Sequence, residues 1–283
     1  MSDVQKLSGL TSQDYEHPFD RSAREALEAT PGLKAIVSKL NEYGIERVLK
    51  IQYTGSNLKA NSKNFPELDG TIKTVCETLY VASNPDLYIR WDYGINAFTA
   101  GVEKTIIVMN SGCIDLLSPE ELSFVVGHEI GHIKSQHILY YQMAAIMPVL
   151  ADIIGEATLG IGKLLTTGVQ LALLNWKRMS EFTADRAGLL ACQDINIAIQ
   201  SLIKIAGLPQ KFFNSSIAED FIAQAKEFEQ YDLNTLDKVV KVMSIMGRSH
   251  PWTVMRAAEL IKWVDSGGYE SVLYRRKQIG RLR

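Results

Sequence analysis

The chain has 283 residues, 46% of them hydrophobic and 22% charged, with a formal net charge of -2. That balance describes a globular protein long enough for a substantial core, and nothing in it asks for nucleic acid as a partner. Three widely separated cysteines, Cys76, Cys113 and Cys192, form neither a disulfide framework nor a CxxC metal site and fit a reducing compartment.

The N-terminal stretch MSDVQKLSGLTSQDYEHPFD lacks a basic start followed by an apolar core, so it does not read as a secretory signal, and the cytoplasm is the expected location. Two helical patterns follow, RSAREALEA and GLKAIVSKLNEYG, with Pro31 and Gly32 between them and Gly44 near a stop. RVLKIQYTG reads as a strand, and FPELDGTIKTVCETLYV as a helix with proline near its start. DLYIRWD, NAFTAG and KTIIVMNSG are short β-rich runs separated by glycine-containing turns, which suggests a small antiparallel or mixed sheet. Ser118 precedes Pro119, Glu120 and Glu121: an N-cap, then proline and acids in the first turn of the next helix.

From there the pattern is almost all helical: an apolar hairpin over 138–176, then KRMSEFTADRAGLLACQ, INIAIQSLIKIAG, SIAEDFIAQAKEFEQY, NTLDKVVKVMSIMG and HPWTVMRAAELIKWVDSG. The expected architecture is α+β in one domain over 1–283. Within it, 1–20 is a polar leader, 21–118 holds helices and sheet, 119–192 the central helices, and 193–283 a helical remainder. The hairpin has uncharged runs of about 14 and 13 residues, short of the roughly 20 a membrane span needs, and Asp152, Glu156 and Lys163 interrupt it. It reads as a buried or mutually packed pair, with a membrane-surface hairpin as the alternative. The basic tail YRRKQIGRLR reads as a solvated helix end, or else as a contact for an anionic surface.

The chemistry is concentrated in FVVGHEIGHIKSQH, residues 124–137, which holds three of the five histidines. On a helix, His128 and His132 are an i, i+4 pair on one face. Two imidazoles so placed can grip one Zn²⁺, and Glu129, one step round, can reach a water in the metal's open position. His137 lies five residues past His132, well round the helix, and reads as structural. A catalytic zinc needs a third protein ligand. RMSEFTADRAG offers Glu181 and Asp185, again i, i+4: one carboxylate can bind the metal while the other accepts the spare N–H of a ligating histidine.

HEIGH followed about fifty residues later by EFTAD resembles the gluzincin metallopeptidases that include HtpX and the CAAX prenyl proteases, peptidase family M48. INAFTAG at 95–101 resembles that family's substrate-pairing strand, and SHPW at 249–252 its His-Pro motif, with Arg256 where a following arginine is expected as support. The resemblance implies a zincin-like fold with the sheet packed on the HExxH helix, and one Zn²⁺ on His128, His132 and Glu181. It further implies Glu129 as general base, Asp185 behind the ligands, His250 as stabiliser of the oxyanion, and Asn96, Ala97, Phe98 and Thr99 as the strand that pairs with an extended substrate. The insert between the two motifs is shorter and more interrupted than in the membrane-embedded members, which resembles the soluble or peripheral branch. The expected activity is zinc endopeptidase on extended or unfolded protein segments. The rival is a zinc-stabilised, chaperone-like peptide-binding module or a membrane-surface protein, without turnover.

Overall fold

The computed structural model describes residues 4–33, 36–37, 44–102, 104–157, 161–212, 215–230 and 252–281. The first half carries helices α1 (Pro18–Glu28), α2 (Ile45–Ser56) and α3 (Pro66–Thr78) and strands β1 (Leu58–Ala60), β2 (Asp86–Arg90), β3 (Ala97–Ala100) and β4 (Ile106–Asn110). The rest is helical: α4 (Ser111–Leu116), α5 (Pro119–Lys134), α6 (Ile138–Ala157), α7 (Ile161–Cys192), α8 (Ile195–Ile205), α9 (Ser215–Gln230), α10 (Thr253–Asp265) and α11 (Gly268–Arg281). The pattern NTLDKVVKVMSIMG, most of GLKAIVSKLNEYG, and His250 lie outside the described residues.

The sheet is mixed, in the order β1-β2-β4-β3. β1 pairs antiparallel with β2, β2 parallel with β4, and β3 antiparallel with β4. Every residue of β4 is buried, as a central strand covered on both faces should be. Ile107 and Met109 face the main core, while Ile106 and Val108 form a smaller cluster with Tyr88 and Ala100, joined by Tyr53 and Phe98. The β3–β4 turn depends on Gly101, whose φ is 84° and whose added Cβ would sit 2.4 Å from the Lys104 carbonyl oxygen. That leaves β3 at the end of the sheet, with β4 as its strand neighbour.

Three expectations change. RVLKIQYTG is not a strand but most of α2. Its β-branched Val48 and Ile51 are each 61% exposed, and Tyr53 reaches the Phe98 ring at 5.0 Å. The β-rich composition misled because one helical face, not alternate residues, meets the sheet. The strand on that side is instead the short β1. Second, the hairpin's return arm and the EFTAD helix are one 32-residue helix, α7, since neither proline nor glycine occurs between Val169 and Ala187. Third, the leader is anchored. Leu7, Leu10 and Tyr15 are buried in the main core, and the Leu7 amide donates to the Thr78 carbonyl at 2.9 Å.

The hairpin's apolar residues have protein partners: Met143, Met147, Val169, Leu173 and Trp176 pack on Ala23 and Leu27 of α1 and on Leu33 and Ile36. Among the described residues, no helix is long and apolar enough to cross a membrane.

The closest helix packing joins α5 to α7. A Cβ added to Gly127 would lie 2.3 Å from the Ala191 Cβ, and one added to Gly131 would lie 2.6 Å from the Ala187 Cβ. Gly188 on α7 would likewise strike the Phe124 ring at 2.9 Å. Glycine lowers helix propensity, and here it permits a contact that any side chain would block. Gly127→Ala should therefore destabilise the protein by about 1–3 kcal/mol through overpacking, and adding Ala191→Gly should recover part of the loss. Chemical unfolding of the two variants checks this, and a fully stable Gly127→Ala protein would refute the close approach.

Candidate active site

The start of α5 is fixed by a reciprocal cap. The Glu121 amide donates to the Ser118 hydroxyl at 3.2 Å, the Glu121 carboxylate accepts from the Ser118 amide at 2.7 Å, and Pro119 occupies the first helical position. Lys204 of α8 pins that carboxylate at 2.6 Å. With the start set and Gly127 and Gly131 seated on α7, the rotation of α5 is determined. His128, Glu129 and His132 are carried into the interior, facing Glu181 and Asp185 of α7.

His128, His132 and Glu181 form a buried triangle whose donor atoms all lie within 4.8 Å of one another. The two Nε2 atoms are 3.1 Å apart, His128 Nε2 is 3.5 Å from Glu181 Oε2, and His132 Nε2 is 3.6 Å from Glu181 Oε1. Around a tetrahedral ion with bonds of about 2.0–2.1 Å, donor atoms are separated by about 3.3 Å. The triangle fits a metal ion in size and in donor type.

Both imidazoles are oriented from behind. The Nδ1 of His128 lies 2.9 Å from Asp185 Oδ1, so a proton on Nδ1 leaves the Nε2 lone pair facing the triangle. Asp185 is gripped at both oxygens by Arg256, Nε to Oδ2 at 2.8 Å and Nη2 to Oδ1 at 2.6 Å, a bidentate pair. Burial opposes the Asp185 charge, but Arg256 and the hydrogen bond to His128 hold its pKa below the usual carboxylate value. Burial also pushes His128 down, yet its hydrogen bonds and attraction to Asp185 and Glu181 raise it to about 9. The same negative surroundings favour a bound cation.

His132 is held by a longer chain. Its Nδ1 lies 2.9 Å from His137 Nδ1, His137 Nε2 lies 3.1 Å from Asp20 Oδ2, and the Thr183 hydroxyl donates to that oxygen at 2.6 Å. Ionised Asp20 accepts from His137 Nε2–H, which leaves His137 Nδ1 as acceptor for His132 Nδ1–H. The Nε2 lone pair of His132 then also faces the triangle. Burial alone would raise Asp20, but its hydrogen bond and attraction to His137 keep it below the usual value. His137 is thus no bystander: it transmits an aspartate on α1 to the HExxH helix. Tyr141, one turn further along, donates its hydroxyl to Glu181 Oε1 by a short hydrogen bond and packs 4.9 Å from the His132 ring. Sequence inspection offers no route to Asp20 or Tyr141, because these contacts join residues with no motif between them.

Glu129 faces a cleft of about 560 Å³, lined by residues 95–100, the triangle, Tyr141, Lys177 and Arg256. The Thr99 hydroxyl donates to Glu129 Oε2 at 2.6 Å. Burial raises the Glu129 pKa, partly opposed by His128 and Thr99. Of the expected strand, Asn96, Ala97, Phe98 and Thr99 all line the cleft. Phe98 also packs on Tyr53, and the Asn96 carbonyl accepts from the Asn110 amide at 2.9 Å. Replacing His137 by Phe keeps its edge contact with Trp176, at 5.3 Å between ring centres, while removing the acceptor for His132. Metal affinity should fall about 10–100-fold, with near-native circular dichroism. Unchanged affinity in a competition titration against a chelator would show that the chain from Asp20 does not orient His132.

A model of Peptidase family M48 matches residues 62–264. The chain is 30% identical over 269 residues, 94% of its length and 76% of the relative's, to "Plastoglobule-localized metallopeptidase 48, chloroplastic" of Arabidopsis thaliana. It is 25% identical to "Protease HtpX homolog 2" of Methanosarcina mazei, over 74% of this chain and 76% of that one. It is also 36% identical to "Protease HtpX homolog" of Dictyoglomus turgidum, over 29% of each. No solved structure gives a significant match. With the family matched across well over half of its length and a relative similar along nearly all of it, the chain belongs to peptidase family M48 and is a metalloprotease of α+β, zincin-like fold.

Proposed function

We propose that the protein is a zinc-dependent endopeptidase acting on extended or unfolded protein segments. The observation that carries this reading is the His128–His132–Glu181 triangle, set beside Glu129 in a cleft walled by a terminal strand. The main core cluster, which draws on residues from Leu7 to Val272, supports treating the chain as one catalytic domain.

Two imidazoles and one carboxylate form the donor set of catalytic zinc sites, which keep a position open for water. Held by His128, His132 and Glu181, a zinc ion would lower the pKa of a water and polarise the scissile carbonyl. Glu129 takes the proton of that water and later delivers it to the leaving nitrogen. Burial raises its pKa, the direction that favours return of the proton to the leaving group. Thr99 holds the acceptor oxygen and ties it to the strand that would receive the substrate. Asp185 and Arg256 keep His128 in its tautomer, and His137 with Asp20 does the same for His132. Tyr141 steadies Glu181. His250, by the family resemblance, stabilises the developing oxyanion. Terminal strand β3 supports an extended substrate, since such an edge can pair with a peptide backbone.

The reading separates from capture without cleavage at Glu129, because binding needs no base. Glu129→Gln should retain about one zinc per chain and lose cleavage of an unfolded protein such as casein by about 10²–10⁴-fold. A Glu129→Gln protein that cleaves at the wild-type rate would remove Glu129 from the mechanism, and a wild-type protein that binds zinc without cutting would favour the binding module.

The name of the Arabidopsis relative places that protein at plastoglobules of the chloroplast, which gives no support to the cytoplasmic location expected here. A reducing compartment remains our proposal, in keeping with three free, buried cysteines. A second reading is contact of the 138–176 hairpin with a lipid surface, favoured by Leu171 on its return arm, which is 52% exposed. Flotation with anionic liposomes checks it: co-migration supports surface contact, and a protein left at the bottom of the gradient argues against it.

A further inference from the structure

The peptidase reading leaves one charged side chain of the cleft without a task. Lys177 sits on α7 one turn before Glu181, half-buried, and lines the cleft with Glu129 and the triangle. Its ammonium lies 4.9 Å over the Tyr141 ring centre and makes no hydrogen bond or ion pair among the described residues. Arg90, the cation in the sheet wall, differs in being engaged by Asn110 at 3.2 Å and Asp92 at 3.5 Å. Beside Tyr141 on α6, Gln142 also lines the cleft, and its side-chain amide nitrogen is buried without a hydrogen-bond partner.

The charges say what is missing. Arg256 offsets Asp185 by direct contact. A divalent ion in the triangle would be offset by Glu181 and Glu129. Those two carboxylates are also the groups whose attraction favours the charged form of Lys177 against burial, which lowers its pKa. Once they serve the metal, the cleft carries one positive charge in excess, at Lys177, in a partly desolvated wall where an unpaired ammonium is costly.

We propose that Lys177, with the Gln142 amide in the lining of the same cleft, forms a subsite for a carboxylate of the substrate, making the enzyme selective for peptides with an acidic group close to the scissile bond. This rests on the endopeptidase reading and names its substrate class. The carboxylate has two sources, an aspartate or glutamate side chain or the peptide's own C-terminus, and both present the same anion to the same donors. Lys177 thereby acts as a specificity-determining residue, supplying a charge-assisted contact outside the metal's reach.

The test is a binding measurement that does not depend on turnover. Zinc-loaded Glu129→Gln protein is titrated by fluorescence anisotropy with peptides in which each position carries Asp or Asn in turn, each made with a free or an amidated C-terminus. One Asp→Asn exchange, or amidation, should weaken binding by about tenfold, as expected for one charge-assisted contact. Which of the two does so identifies the source of the carboxylate. In the Lys177→Met background the same exchange should have no effect, in Lys177→Arg the preference should persist, and in Lys177→Glu it should reverse to favour the uncharged peptide. The Arg and Glu variants separate lost charge from lost folding. Absence of any carboxylate-dependent binding to the Lys177 protein, or persistence of it in Lys177→Met, overturns the proposal. Failure of wild-type enzyme to cut peptides that bind with this preference would instead count against the endopeptidase reading alone.

Discussion

The site depends on how closely α5 approaches α7. Zinc-sized spacing among His128, His132 and Glu181 requires two helices whose backbones come together without side chains between them. Gly127 and Gly131 provide this on one helix, and Ala187, Gly188 and Ala191 on the other. The small residues repeat at i, i+4, as do the histidines, and are offset from them by one position. One face of α5 therefore makes the contact while the adjacent face presents donor atoms to Glu181. Packing and chemistry are set by the same helical period, so an error in helix spacing would move every atom of the triangle.

Around this contact the protein uses charge to choose tautomers. Both histidines need a proton on Nδ1 and a lone pair on Nε2, and each is supplied with an anion at the end of a hydrogen-bonded path. For His128 the anion is Asp185, neutralised by Arg256 from α10. For His132 it is Asp20 of α1, acting through His137. The two paths draw on helices from opposite ends of the chain, α1 and α10. A buried carboxylate without a partner would be costly. Here Asp185 is held at both oxygens by Arg256 and also bonds His128, while Asp20 uses one oxygen for His137 and Thr183 and leaves its other oxygen buried without a hydrogen-bond partner.

How much of this is readable in the sequence follows from the range of each interaction. The start of α5 is legible because Ser118, Pro119 and Glu121 act within one turn. The histidine pair is legible because i, i+4 spacing is a property of any helix. Glu181 and Asp185 are legible as a pair, and the family resemblance places them opposite the histidines. The helix α2 is not legible because Val48, Ile51 and Tyr53 suit a strand by composition, whereas its docking on the sheet is a tertiary matter: Tyr53 packs on Phe98 and the cluster around Val108 while Val48 and Ile51 stay exposed. His137 illustrates the limit more sharply: its position on the α5 wheel points away from the metal, but α5 ends at Lys134. The turn that follows, where Gln136 has a φ of 59°, swings the ring back to His132. The surroundings of Asp20, Tyr141 and the half-buried Lys177 are tertiary facts with no local signature.

In the proposed enzyme, two imidazoles and one carboxylate of this triangle would hold zinc. X-ray absorption at the zinc K-edge of the purified protein tests it most directly. The expected spectrum shows nitrogen and oxygen neighbours only, at about 2.0–2.2 Å, with imidazole multiple scattering from two histidines. A shell containing sulfur at about 2.3 Å, or a spectrum unchanged when both His128 and His132 are replaced, would contradict it.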